Sequence, residues 1–322
     1  MIKPPLLHGE TQRLKSLHSL KILDTQPEER FDRITRLAQL VFDVPIALVS
    51  LVDRERQWFK SKQGLDATET PREISFCGHA IADSQVFVVA NATNDQRFCD
   101  NPLVVNDPNI RFYAGYPLSS MVGDRIGTLC IIDREPREFT PADVEKLELL
   151  GQLVEQELFV LRQATTDELT GLVNRRGFHM TGNHILDICK RLGQPATLVL
   201  FDMDGLKTIN DSKGHKEGDA AIRDFGGCLV KAYRDSDVVA RIGGDEFAVL
   251  FAGATQQDIS SLVTRLQEHV LTRNSSEPDR APLDFSHGIA EFDPRHGISL
   301  QVLTSDADLE MYARKRRKKR LA

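Results

Sequence analysis

The sequence predicts an α+β domain, an antiparallel sheet with flanking helices, joined by a long helix to an α/β domain with a central sheet. Three observations carry this. Residues 28–132 give one helix-period stretch and then short strand-like runs separated by polar segments. Residues 141–166 keep helical apolar spacing with no proline after the first position. Residues 197–252 hold a continuous apolar strand ending in acids, and a hairpin whose tip combines glycines with carboxylates.

The 322 residues suffice for two domains of ordinary size, and 41% hydrophobic with 27% charged residues describes a soluble globular chain. A net charge of −6 argues against broad nucleic-acid binding. Five scattered cysteines without a CxxC, no apolar run long enough for a membrane span and no secretory leader lead us to expect a reduced, cytoplasmic protein.

Taken in order, residues 10–23 place Leu14, Leu17, Leu20, Lys21 and Leu23 near helical spacing, an N-terminal helix set apart over residues 1–23. Asp24-Thr25-Gln26-Pro27 is expected to break it and cap the next helix, with Pro27 near the first turn. That helix, residues 28–42, carries Phe31, Ile34, Leu37, Ala38, Val41 and Phe42 on one face. Ile46–Val52 reads as a strand, followed by a turn and a second strand around Gln57–Lys60. Residues 61–80 are polar and irregular, Val86–Val89 is a short strand, and residues 91–110 form a long loop. Residues 111–117 and 126–132 close the sheet.

Cys77 and His79 form a CxH that invites a thiol-sensing or tetrapyrrole reading. A buried cysteine and a hydrogen-bonded histidine are favoured, because a lone CxH lacks metal-ligand spacing. Trp58 suits the core and a pocket wall equally. The RFYAGYPL segment, the GTLCIID strand and the order of elements resemble a GAF domain over about residues 24–160. The resemblance implies a sensor domain, bounded here as residues 24–140, that binds one of many small molecules or none.

Pro141 opens a helix behind Thr140, a normal cap. Leu147, Leu150, Val154 and Leu161, with Leu158 beside them, suit a parallel coiled coil and a helix packed on its own domain about equally. As a linking segment, residues 141–166, it would transmit a fixed geometry between domains.

In residues 167–322, Thr197–Phe201 is a strand buried on both faces that ends at Asp202-Met203-Asp204-Gly205. Acids at the carboxyl end of a central strand are where ligands collect in open sheets. VVARIGGDEFAVL reads as a hairpin with Gly243, Gly244, Asp245 and Glu246 at its tip. Carboxylates beside bare backbone suit a hard cation and a phosphate.

The runs DELTGLVNRR, FDMDGLKTINDSKGHKEGD, RIGGDEF, SHGIA and ADLEMYARK together resemble a GGDEF domain over about residues 163–322. That family is the diguanylate cyclases, with a fold similar to the nucleotidyl cyclase and polymerase palm. The resemblance implies condensation of two GTP into cyclic di-GMP, with release of pyrophosphate. It implies Mg²⁺ or Mn²⁺, two ions per half-site, held by Asp202, the Met203 carbonyl and Asp245. Asp245 is the expected base, with Glu246 assisting. Asn210 and Asp219 occupy the guanine-reading positions, while Gly205, Leu206, Lys207, Lys315 and Lys319 meet phosphate. Arg234 and Asp237 form an RxxD separated from Gly243 by five residues, which matches the family's inhibitory product site.

Glu310 and Arg314 stand where the family usually has alanine, and the glycine after the last helix is missing, which leaves the docking of that helix and of Lys319 open. Because each monomer would hold one GTP, a homodimer through the linking helix and the GAF domain is expected. The alternatives are a weakly catalytic or non-catalytic cyclic di-GMP or GTP receptor, which an intact tip disfavours, and a cyclic di-GMP hydrolase, which would need motifs this chain does not carry.

Overall fold

The computed structural model describes residues 1–234 and 236–321, with side chains described through residue 318. The described chain divides into two compact units, Met1–Arg162 and Gln163 onward.

The first unit opens with α1 (Glu10–Ser19) and α2 (Glu29–Phe42), then β1 (Ile46–Val52), β2 (Arg56–Gln63) and β3 (Glu69–Pro71). A single 3₁₀ turn, Arg72–Ile74, leads into α3 (Phe76–Ala80), β4 (Phe87–Val89) and α4 (Pro102–Val105). Then come β5 (Phe112–Ser119), β6 (Arg125–Asp133) and α5 (Pro141–Thr165). The sheet order is β3-β2-β1-β6-β5-β4, antiparallel throughout. Strand alternation splits the core in two. Ala47, Val49 and Leu51 face α1, α2 and α5, whereas Ile46, Leu48 and Val52 face α3 and the long loop.

Several expectations change here. The segment Asp24–Pro27 does not cap α2: its N-cap is Glu28, without a side-chain cap bond, and Pro27 lies outside the helix. A charge fixes the entry instead. Lys60, fully buried, pairs with Glu28 at 2.7 Å and donates to Thr25 Oγ1 and the Gln26 carbonyl. Leu37 and Val41 stand 43% exposed, because α2 rests on the sheet through Phe31, Ile34, Thr35, Ala38 and Phe42. Residues 61–80 and 91–110 contain β3, α3 and α4, each too short to show a period. Trp58 belongs to the core, packed with the α2 side of the sheet. The α5 seam is not a coiled coil within this chain: Leu147, Leu150, Val154, Leu158 and Leu161 are buried in the first unit's core, as is Leu17 of α1. Thr140 and Asp143 cap α5 reciprocally.

The second unit contains β7 (Val173–Asn174), α6 (Arg175–Leu192), β8 (Ala196–Met203), α7 (Leu206–Lys213) and α8 (His215–Ala232). It continues with β9 (Val238–Arg241), β10 (Glu246–Ala252), α9 (Gln256–Ser276), β11 (Phe285–Phe292) and α10 (Leu300–Leu321). The sheet order is β11-β8-β10-β9-β7, and only β7 runs parallel to its neighbour. Every residue of β8 is buried, as its unbroken apolar run predicts, but the sheet around it is mainly antiparallel. Side chains of α6 and α10 fill one face, and those of α8 and α9 fill the other. Gly288 lets α10 lie directly on β11: a carbon there would collide with the Ala307 carbonyl and the Met311 amide. Among the described residues, no helix is long and apolar enough to cross a membrane.

Candidate functional site

The site forms where β8 ends between its two neighbours. Asp202 lies opposite Glu246 of β10 on one side and Ser286 of β11 on the other. The Met203 amide donates to the Asp245 carbonyl at 3.0 Å, which fixes the hairpin tip against the end of β8. Asp202 is 8% exposed. Burial raises its carboxyl above the ordinary value, the charges of Asp245 and Asp204 add to this, and Lys315 opposes them. Lys315 Nζ forms an ion pair with Asp202 Oδ1, yet that oxygen accepts no well-aligned hydrogen bond.

The charges of Asp245 and Asp204 act on Asp202, and a cation would relieve that repulsion. Among the described residues, no three or more side chains of metal-ligand type converge on a common point. Carboxylates and a main-chain carbonyl are hard oxygen donors of the kind a divalent ion such as Mg²⁺ takes, and that ion also keeps waters and takes oxygens from phosphates. A cavity of ~280 Å³ opens beside Glu246, with Arg175, His179, Phe201 and Asp308 in its wall. Asp202, Asp245, Asn210 and Asp219 do not line it, so the cavity and the acid cluster are separate features.

The tip is braced by residues to which the sequence reading gave no role. Arg241 donates from Nη2 to the Gly244 carbonyl at 2.8 Å and from Nη1 to both Asp167 oxygens at 3.1 Å. Burial would raise the Asp167 carboxyl, but bonds from Thr170 and Arg241 hold it below its ordinary value. Arg175 donates to the Ile242 carbonyl at 2.7 Å and stands 3.6 Å from Glu246, whose side chain folds beside Gly243. The one available signal was position: Arg241 ends the strand that leads into the glycines, and Asp167 and Arg175 belong to the DELTGLVNRR run.

Beyond β8 the chain turns through Gly205, whose φ of +77° suits a residue without Cβ. Gly205 is the N-cap of α7, so the free amides of the first turn, Leu206 and Lys207, form an anion-favouring end. Asn210 lies half-buried against Gly218 of α8, where a Cβ would strike its Oδ1. Asp219, the next residue on α8, is exposed. Asn210 thus lies at the α7–α8 contact, against a residue one position along α8 from Asp219.

On α10, Lys318 was not foreseen. It pairs with Asp204 at 2.8 Å and Asp284 at 2.6 Å, and Asp204 also accepts from Ser286 Oγ at 2.9 Å. The Lys319 side chain lies outside the described residues. The departures at Glu310 and Arg314 fasten α10 to β11. Arg314 donates to Glu310 at 2.7 Å and to His287 Nε2, while Glu310 accepts from the Ile289 amide. The docking that those departures left open is made by a charged clasp in place of small residues.

Burial and then the Arg314 charge push His287 down to about 4. The sign follows from an ordinary value of 6.5. Below it the unfolded chain binds a proton that the folded chain refuses until about 4. Stability from this group is present above pH 6.5 and is lost as the pH falls to about 4. About 2 kcal/mol is expected after discounting for partial exposure. Urea titrations at pH 7 and pH 4.5 should show that slope in wild type, and His287→Gln should flatten it; an unchanged slope in the variant refutes the assignment.

Arg234 and Asp237 share one turn ahead of β9. The Asp237 amide donates to the Arg234 carbonyl, and Asp237 Oδ2 accepts from the Arg234 amide, each at 3.0 Å. The Arg234 residue is exposed, and Asp235 lies outside the described residues.

Two family models match the chain: "GAF domain" over residues 26–158 and "Diguanylate cyclase, GGDEF domain" over residues 164–320. Similar curated proteins include the cyclic di-GMP phosphodiesterase PA2567 of Pseudomonas aeruginosa, 45% identical over 177 residues, which are 54% of this chain and 30% of that one. The diguanylate cyclase DgcP of Escherichia coli is 29% identical over 263 residues, 77% of this chain and 76% of that one. Among solved structures, the GGDEF domain of DgcB from Caulobacter crescentus, in complex with c-di-GMP, is 30% identical. That match covers 48% of this chain and 91% of that one, with a TM-score of 0.44.

Proposed function

Since the chain belongs to the GGDEF diguanylate cyclase family, with a GAF domain ahead of the GGDEF domain, we propose that it condenses two GTP into cyclic di-GMP under GAF control. The observation that carries the reading is the undamaged tip, with Asp245 bonded to the end of β8 beside buried Asp202.

The family is generally dependent on a divalent metal. Asp202, Asp245 and the Met203 carbonyl would hold Mg²⁺ or Mn²⁺, two ions per half-site. A bound divalent ion neutralises phosphate charge and acidifies the attacking hydroxyl. The chain's own groups do the rest. Asp245 accepts the 3′-hydroxyl proton as that oxygen attacks the α-phosphorus of the second GTP, and Glu246 assists. Asp219 accepts from the guanine N1–H and N2–H edge, while the Asn210 amide donates to O6. The amides of Leu206 and Lys207, with the Lys207, Lys315 and Lys319 ammonium groups, receive the triphosphate. Gly243 and Gly244 keep side chains out of its path. Lys315 and a cation compete for the same Asp202 oxygen, so nucleotide binding would draw Lys315 to phosphate.

One chain holds one GTP, so a homodimer completes the site. Incubating purified protein with GTP and Mg²⁺, followed by chromatography, should yield cyclic di-GMP and pyrophosphate. Nucleotide bound without turnover would leave the receptor reading standing.

Arg234 and Asp237 would form the product site, with arginine stacking on guanine and forking to its O6 and N7. Progress curves should slow as product accumulates. Arg234→Ala should stay linear and reach several-fold more product; equal curvature in both proteins rules out this brake.

A further inference from the structure

The structure brings together two cysteines that lie 53 residues apart in sequence. Cys77 of α3 and Cys130 of β6 are buried with their Sγ atoms 3.8 Å apart. The Tyr113 hydroxyl donates to Cys77 Sγ at 3.4 Å. Ser50 of β1 and Thr128 of β6 are direct cross-strand partners on the same sheet face as Cys130. Their hydroxyls are buried and have no hydrogen-bond partner.

Cys130 and Tyr113 contact the Cys77 sulfur directly. Burial alone would raise the Cys77 thiol, but the neighbouring Cys130 thiol and the hydroxyls of Ser50, Thr128 and Tyr113 outweigh it and hold Cys77 below its ordinary value. Burial and the neighbouring Cys77 push Cys130 well above. A purely structural core would gain nothing from two partnerless hydroxyls, since a buried donor left unsatisfied is destabilising. Around a thiolate they have a purpose. Cys77, and not Cys130, also lines a cavity of ~420 Å³ walled by Phe59, Phe76 and Tyr113, with Gln57, Thr70 and charged Arg134 among its polar groups.

We propose that Cys77 and Cys130 are an oxidisable dithiol, with Cys77 as the attacking thiol and Cys130 as the resolving one, for a small peroxide that enters by the cavity. Cys77 as thiolate attacks one peroxide oxygen. The O–O bond breaks, hydroxide leaves, and Cys77 becomes a sulfenic acid. The Cys130 sulfur then attacks that sulfur and loses its proton, the S–O bond breaks, and the oxygen leaves as water. Overall, two thiols and one hydrogen peroxide give one disulfide and two waters. Closing 3.8 Å to the ~2.05 Å of a disulfide asks for a short shift of α3 against β6.

The test uses the full-length wild-type protein, reduced, freed of reductant and treated with hydrogen peroxide at native pH. Remaining thiols are then alkylated under denaturing conditions and the peptides are read by mass spectrometry. The expected result is a Cys77–Cys130 linked peptide, two hydrogens lighter than the reduced pair and restored to two thiols by dithiothreitol. In Cys130→Ala the link is lost and Cys77 is trapped as sulfenic acid by a 1,3-dione reagent. Complete alkylation of both residues in peroxide-treated wild type overturns the proposal. So does oxidation confined to exposed Cys99, or over-oxidation of Cys77 without linkage to Cys130. The wild-type arm needs no substitution, so misfolding of a variant cannot obscure the answer.

Discussion

Asp245→Ala is expected to lower cyclic di-GMP formation by about 10³-fold or more, while the far-UV spectrum and melting temperature stay near wild type. The size follows from the double use of this side chain, as cation ligand and as proton acceptor. The intact fold follows from its position. Asp245 sits at the hairpin tip, outside the hydrophobic clusters, and the tip's bracing uses its neighbours' backbone: the Gly244 carbonyl on Arg241 and the Ile242 carbonyl on Arg175. The Asp245 carbonyl that accepts from Met203 survives the substitution. Product measured by chromatography under saturating GTP and Mg²⁺ decides the matter, and near-normal turnover would sink the mechanism.

Asp202→Asn should be as damaging to turnover, about 10³-fold, but should part company with Asp245→Ala in stability. Asp202 is buried beside Asp245 and Asp204, and Lys315 is the group that favours its ionised form against them. Removing that charge without changing the side chain's shape relieves repulsion, so the metal-free melting temperature should hold or rise. Wild type should gain several degrees with Mg²⁺ and a non-hydrolysable GTP analogue, as binding to the folded state requires. The variant should lose most of that gain. A variant that melts lower in the absence of metal would contradict the crowding of charge, and one that keeps the full ligand-induced shift would remove Asp202 from the cation site.

Local chemistry was legible in the sequence because it is written in contiguous residues. The β8 run ends in acids, the hairpin shows its glycines, and both follow from strand patterning and turn preference. The Pro141 helix start, with Thr140 behind it, needed only the capping rule. Asn210 and Asp219 were visible in one short block, although not that Asn210 would pack against Gly218.

Tertiary structure decided what depends on partners far along the chain. Periodicity marked the α5 seam as apolar but could not say what covers it, because own-core packing and a coiled coil use the same spacing. The burial of Leu147, Val154 and Leu161 in the first unit's core settled that. Leu37 and Val41 matched the helical pattern of α2 and still face outward, since the sheet contacts a narrower stripe than the pattern offers. Lys60 was invisible as a buried charge until Glu28 stood beside it, and Cys77 read as an ordinary core cysteine until β6 delivered Cys130. A sequence specifies which groups a segment presents. Desolvation and charge coupling depend on distance in space, and only the folded chain sets those distances.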